Sequence, residues 1–450
     1  MPLPTLLALL SLTAAARPIT LDEALALAAK RNADLEIARA DRDEAAVEVT
    51  ASYAGVLPRL DLTGSFGHQF EGSLNQVTTI TNPTPPPDVV RDAVTVPPND
   101  FGAYSVGIGF AWPLFDGLAS WNRIDAAKAR SGAAKRSYDE TALRTAFEVT
   151  RRFYDLVKQE RALEVRRETA ALSQDLVKRA DALFAAGRGT KADTYSARAN
   201  LGNDQLGVSS QGQEVVRARS DLAVVLGLTS DGGLEATPPP PVAGYKVPPE
   251  EPLAPLADLL AQARKARPLL ASGRLAREAA DLEIARAQGA YWPTVGLNAS
   301  WQKQGPELTG TNGLFGDIAQ QYVANVGVTI GLNLFAGGET RAGVQRAVAQ
   351  AHRAQAQLEQ GQEIVSSEVT VARERVATIS GQVETVRQIL DASEQALRAS
   401  RERLEAGVGS QLEVRDAALK LEQARLSWVN TVVDLVVARA DLNRAVGGSL

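Results

Sequence analysis

Cysteine is absent from this 450-residue chain, which removes disulfides, thiolate metal sites, cysteine nucleophiles and a lipid anchor on an N-terminal cysteine. Histidine occurs only as His68, inside an alternating segment, and His352, on a long helical tract. Without a metal-ligand spacing or a nucleophile and base pair, the chain offers no catalytic centre and no cofactor site. Two glycine clusters fail as phosphate loops, because Gly107-Ile108-Gly109 lies inside a strand pattern and Gly187-Arg188-Gly189-Thr190-Lys191 does not follow one. The formal net charge is −5, so no basic footprint points to nucleic acid. Beyond the first residues no run of about 18 apolar residues occurs, which excludes a transmembrane helix from the mature chain. Residues 1–16 read as a signal peptide, an apolar stretch closing on Ala14, Ala15 and Ala16, although no Lys or Arg precedes it. Proline is missing from residues 114–237 and 307–450, and those tracts are rich in good helix formers.

What is present is a duplication. Residues 21–66 match 256–301 at an offset of about 235, pairing Leu21 with Leu256, Lys30 with Lys265 and Pro58 with Pro293. Residues 115–227 match 335–447 at an offset of about 220, pairing Phe115 with Phe335, Gly187 with Gly407, Asp221 with Asp441 and Gly227 with Gly447. The domain plan is therefore two repeats, 17–228 and 256–450, joined by a proline-rich, extended segment at 229–255. Each repeat reads helix, strand, loop, strand, long helix, turn, helix. The long helices, near 119–183 and 339–403, would each run on the order of 100 Å and need a packing partner. In the second repeat Val369, Ala372, Val376, Ile379, Val383, Val386, Leu390, Ser393, Leu397, Ser400 and Leu404 recur at steps of three and four, a coiled-coil seam. Leu412, Leu419, Leu426 and Val433 are the seven-residue stripe expected to meet it from the return helix. The first repeat has Arg152, Gln159 and Arg166 at seam positions, so its hairpin should face another neighbour or water.

Four segments, near 58–70, 102–115, 293–304 and 321–335, alternate apolar with small or polar residues and are long enough for tilted strands to cross a bilayer. Aromatic residues collect there (Phe70, Tyr104, Trp112, Phe115, Trp292, Trp301, Tyr322, Phe335), as in an interfacial girdle. Four strands cannot close a transmembrane barrel, and an open edge in lipid leaves backbone groups unpaired. Subunits must then share one barrel. The competing expectation, a secreted or periplasmic coiled-coil scaffold without channel activity, accounts for the helices but not for the four aromatic-rich segments.

The hairpin tips, AAGRGTKADTYSARANL from Ala185 and EAGVGSQLEVRDAALKL from Glu405, together with the signal peptide and duplicated strands and helices, resemble the outer-membrane efflux protein family typified by TolC. That resemblance implies a mixed α and β membrane protein: a homotrimer with a twelve-stranded barrel in the outer membrane of a Gram-negative bacterium, continued by a periplasmic helical tunnel. It implies a passive exit duct that works with a periplasmic adaptor and an inner-membrane transporter for efflux or type I secretion. Carried over by position, Glu413 and Asp416 would form the periplasmic aperture, and Asp193 would be a tip latch. Gly187, Arg188, Gly189 and Thr190 (tip 185–191), with Gly407, Val408, Gly409 and Ser410 (tip 405–411), would dock the adaptor. Gly409 stands where the family places a latch arginine, so that particular ion pair is not expected here.

Overall fold

The structure, a computed structural model, describes residues 17–82, 88–228, 234–238, 253–311, 313–317 and 322–448. The expected signal peptide and most of the proline-rich segment lie outside the described residues. The strands are β1 (Arg17–Ile19), β2 (Arg59–Glu71), β3 (Leu74–Asn82), β4 (Asp88–Val96), β5 (Asn99–Phe115), β6 (Leu234–Ala236), β7 (Thr294–Gly305) and β8 (Tyr322–Gly331). The helices are α1 (Leu21–Arg31), α2 (Ala33–Ser52), α3 (Ala119–Ala185), α4 (Lys191–Val225), α5 (Leu256–Ala266), α6 (Pro268–Gln288), α7 (Glu339–Glu405) and α8 (Gln411–Ala445). Two compact units result: Ala45–Ser131 with Arg277–Ala354, and Met1–Glu44 with Gly132–Ala276 and Gln355–Leu450.

The first unit is built on a four-stranded antiparallel sheet in the order β2-β5-β7-β8. Its register places Leu62 opposite Ile108, Ile108 opposite Trp301, and Trp301 opposite Ala324, so one face is apolar across all four strands. The other face carries small and polar side chains, among them Ser65 and Ser105, whose hydroxyls lie 2.8 Å apart, and Asn298, which donates to Thr329 at 3.0 Å. Pro113 lacks an N–H, and the β5–β7 ladder shifts register between Pro113 and Phe115.

Two features of this unit correct the sequence expectations. The segment between the first two strands is not a plain loop, since β3 and β4 pair as an antiparallel hairpin of their own. The fourth strand stops at Gly331 rather than near 335, because Gly331 faces Thr294, the first residue of β7. Among the described residues no strand lies opposite 332–335, and Phe335 lies beyond the sheet.

In the helical unit β1 pairs in parallel with β6. Ile19, Val149, Phe153, Leu156, Leu222, Leu226 and Leu234 are buried together around that pair, each large side chain stabilising the unit by about 1.5–3 kcal/mol. A second cluster joins Leu259, Ala263, Leu270, Val365, Val369, Ala372, Ala445 and Val446. The N-terminal helix of each half, expected to be continuous, is broken. Asn32 (φ −66, ψ 128) ends α1 and its side chain caps α2 through the Leu35 N–H. Arg267 (φ −67, ψ 119) ends α5, as the residue before a proline is disfavoured in a helix.

The seam on α7 is buried at Val369, Ala372, Val376, Leu397 and Leu404. On α8 the expected stripe holds only away from the tip, since Leu412 and Leu419 are exposed, Leu426 is half-buried and Val433 is buried, while a row two residues on, Val414, Leu421, Trp428 and Leu435, is buried along its length. Ala417, Ala418 and Ala424 flank that buried row, and small side chains there let the helices approach closely. Two of the three polar seam positions of α3 are answered within its own hairpin: Arg152 pairs with Asp221 at 2.8 Å and Gln159 accepts from Gln211 at 2.8 Å.

Candidate functional site

The features that bear on function are the apolar sheet face, the two helix tips and the ion pairs that hold the hairpins. On the sheet, Leu60, Leu62, Phe66, Val326, Val328 and Ile330 are all exposed, far more apolar surface than a soluble fold leaves uncovered. The aromatic residues fall toward the two ends of the strands. Tyr104 faces Phe66 and Gly305, Tyr322 faces Lys303, and Phe70 faces Asp100 at the end away from the helices. Trp301 faces Ile108, nearer the middle of the strand. Trp112 faces Leu297 at the opposite end, with Phe115 closing β5 and Trp292 just before β7. Among the described residues no helix is long and apolar enough to cross a membrane.

The two tips are built alike. Gly187 (φ 72) and Gly407 (φ 75) take the left-handed conformation. Arg188 N–H returns to Leu183 O at 2.8 Å, and Val408 N–H returns to Arg403 O at 3.0 Å, the pattern that satisfies the last carbonyls of a helix. At Gly409 a Cβ would sit 2.9 Å from Leu404 N, so a side chain there, arginine included, cannot be accommodated without moving the turn. Thr190 and Asp193 form a reciprocal capping box at the start of α4. Hydrogen bonds from the Thr190 hydroxyl and N–H hold the Asp193 carboxyl below the usual carboxylate range. Asp193, expected as a latch, is thus engaged within its own turn.

Glu413 and Asp416 lie one turn apart on α8, both exposed. The Ser410 hydroxyl accepts the Glu413 N–H at 3.2 Å, which leaves the Glu413 side chain free of the cap and 3.5 Å from Arg403. Asp416 pairs with Lys420 at 2.7 Å. Each acid therefore has its own cation nearby, a pairing that inspection of the tip alone did not anticipate.

Between them on the sequence, Arg415 points the other way. Its guanidinium donates to both Asp204 oxygens at 2.6 and 2.8 Å and to the Ser173 hydroxyl at 2.7 Å, while Ser173 donates to Asp204 at 2.5 Å. This nearly buried cluster ties α8 to α4 and α3. Arg179 adds a bond to Leu404 O, the last turn of α7, at 2.9 Å. Sequence reading missed these residues, and the available signal was Arg415 adjoining the buried row at Val414. A second missed cluster centres on Arg267, whose side chain is 1% exposed. It forks onto Glu140 at 2.8 and 3.0 Å, reaches Glu368 at 2.9 Å and donates to Arg444 O at 2.7 Å. Asn32, at the matching place in the other half, likewise donates to a carbonyl at the end of the return helix, Val225 O, at 2.8 Å. Among the described residues no group of His, Asp and Glu could hold a metal ion.

A sheet apolar on one face, carried with paired helical hairpins, is the fold of outer-membrane channels. A crystal structure of a membrane protein from Pseudomonas aeruginosa matches with a TM-score of 0.77 at 20% identity, covering 95% of this chain and 93% of that one. The outer membrane protein VceC from Vibrio cholerae matches with a TM-score of 0.74 at 19% identity over 95% and 96%. The chain belongs to the outer membrane efflux protein family, whose model matches residues 24–228 and 259–448. It is also similar to the outer membrane efflux protein BepC of Brucella suis biovar 1 (strain 1330), at 24% identity over 246 residues, 55% of this chain and 50% of BepC. The match thus spans half the length of that relative. The family is one of channels rather than enzymes.

Proposed function

We propose that the chain is one protomer of a trimeric exit duct in the outer membrane of a Gram-negative bacterium, with its helices in the periplasm. The duct passes substrates outward from a periplasmic adaptor and an inner-membrane transporter, which supplies the energy. The observation that carries this reading is the sheet, exposed and apolar on one face and, among the described residues, unpaired at both edges, β2 and β8. In lipid such edges cost several kcal/mol per unpaired group, and three copies joined edge to edge remove them in a twelve-stranded barrel. The aromatic residues at the strand ends then meet the two interfaces of the bilayer, and the polar face lines the lumen.

The tips are the surface offered to the adaptor. Their backbone is locked by the glycine turns and caps, leaving Arg188, Thr190, Val408 and Ser410 exposed. Glu413 and Asp416 face the axis as the aperture, with Arg403 and Lys420 beside them. The pairing makes the aperture nearly neutral, so opening should change width more than charge. Removing the acids alone exposes the cations. In planar bilayers Glu413→Ala with Asp416→Ala should raise single-channel conductance and move ion preference from cations toward anions. Unchanged conductance and selectivity would exclude these residues from the aperture.

A further inference from the structure

Among the described residues Leu118 is the only non-glycine with a positive φ, at 66°. The matching place in the other half is Gly338 (φ 89), where a Cβ would meet nothing within 4 Å. Space therefore permits a side chain at both places, and only the backbone conformation opposes it. One half has relieved that strain with glycine, whereas the other keeps a leucine and leaves it 56% exposed. A strained residue kept in this way points to something its side chain does.

Leu118 lines a cavity of about 180 Å³ at the end of β5 where α3 begins, together with Trp112, Leu114, Phe115 and Trp121. The indole N–H and the serine hydroxyl beside it are already engaged. Trp112 Nε1 donates to Val56 O at 3.0 Å, the Ser120 hydroxyl donates to Gly55 O at 3.0 Å, and Asp116 accepts the Ser120 N–H at 2.8 Å. The surface left for a ligand is more apolar than polar, with Asp116 on its wall. It is continuous with the apolar sheet face through Trp112 and Leu114, and Trp121, on the first turn of α3, extends it past the last strand residue and is 54% exposed. The other half lacks the site, having Gly338 for Leu118, Arg341 for Trp121 and Leu332 for Trp112.

We infer that this cavity holds an acyl chain of a glycerophospholipid from the periplasmic leaflet of the outer membrane, one per protomer. The inference rests on the membrane reading above, which makes the apolar sheet face the lipid surface. A slot walled by aromatic rings and a leucine, with its indole N–H and serine hydroxyl bonded within the chain, suits a hydrocarbon chain, and the Asp116 carboxylate on its wall disfavours a phosphate head group there.

The test uses the full chain, extracted from outer membranes in mild detergent and examined by native mass spectrometry. Wild-type protein should retain phospholipid. Leu118→Gly, which takes the residue of the other half and eases the backbone, should retain roughly tenfold less, while assembly and conductance stay unchanged. Reconstitution into vesicles of phosphatidylethanolamine brominated on the acyl chain gives a second readout that does not depend on retention. Wild-type tryptophan fluorescence should be quenched, and Trp121→Phe should remove much of the quenched component. Equal retention in wild type and Leu118→Gly, or a Trp121 component shielded from quenching because another copy of the chain covers it, would overturn the lipid site and leave the channel intact. Recovery of the mature protein in a soluble periplasmic pool would overturn the membrane reading itself.

Discussion

Arg267 shows what a single side chain does in this fold. With 1% of its side chain exposed, it meets Glu140 from α3, Glu368 from α7 and the carbonyl of Arg444 from α8, so one guanidinium joins three helices from both halves. A pair this deep adds little net stability over apolar packing, but removing one partner strands the others. Arg267→Ala should therefore cost about 3–5 kcal/mol, read as a lower unfolding midpoint in denaturant. Arg267→Asn, the residue of the other half, should recover part of that loss by restoring a donor for Arg444 O. A midpoint for Arg267→Ala equal to wild type would show that water, not Arg267, satisfies Glu140 and Glu368. None of this was legible in the sequence. The partners lie more than a hundred residues away, and local periodicity carries no information about which charges meet. Glu413 and Asp416 were readable as a tip pair by position, and Lys420, four residues after Asp416 on the same helix, was readable as its partner, whereas Arg403 reaches Glu413 from the other helix of the hairpin and was not.

Elements were far more legible, because proline placement and periodicity are local signals. The proline-free tracts announced α3 and α7, and the steps of three and four on α7 marked the side that is buried. The buried row on α8 shows where this reasoning stops. Near the tip Leu412 and Leu419 stay exposed, and the chain buries instead the row flanked by Ala417, Ala418 and Ala424, since small side chains let the helices approach closely. The β3–β4 hairpin was missed because a proline-rich stretch between its strands reads as loop.

At the turns, the two hairpins differ in a way that can be measured. Thr190 and Asp193 cap α4 reciprocally, whereas at α8 only the Ser410 hydroxyl engages the backbone and Glu413 is left to other partners. Thr190→Ala should destabilise the first turn of α4 by about 1 kcal/mol, seen as roughly fivefold faster hydrogen exchange of the amides of Asp193 and its neighbours. Exchange rates there unchanged from wild type would mean that packing between the hairpins, not the cap, fixes the tip.

At the scale of the whole molecule, the sequence already contained the decisive quantity, a count of four long alternating segments, and the fold supplies what the count lacked: which strands are the edges. In the order β2-β5-β7-β8 the unpaired strands are the first and the last, so a ring of copies closes only if β8 of one chain pairs with β2 of the next. The register between chains can be found by experiment, because the protein has no cysteine and every introduced thiol is informative. Ser65 on β2 points to the polar face, as do Val323, Asn325, Gly327 and Thr329 on β8, through the paired residues Ser105, Gln304, Gln302, Ser300, Asn298 and Gly296. With Ser65→Cys fixed and a second cysteine moved along those four positions of β8, thiols on directly opposed residues fall within about 3.5–4.5 Å between Cβ atoms and can oxidise. The expected outcome is one position, or two adjacent ones, that gives a disulfide-linked ladder ending at three chains on a denaturing gel under non-reducing conditions. Monomer alone at all four positions, in protein recovered from the outer membrane, would contradict the shared barrel. A ladder that ran beyond three would instead keep the edge pairing and change the number of protomers that close it.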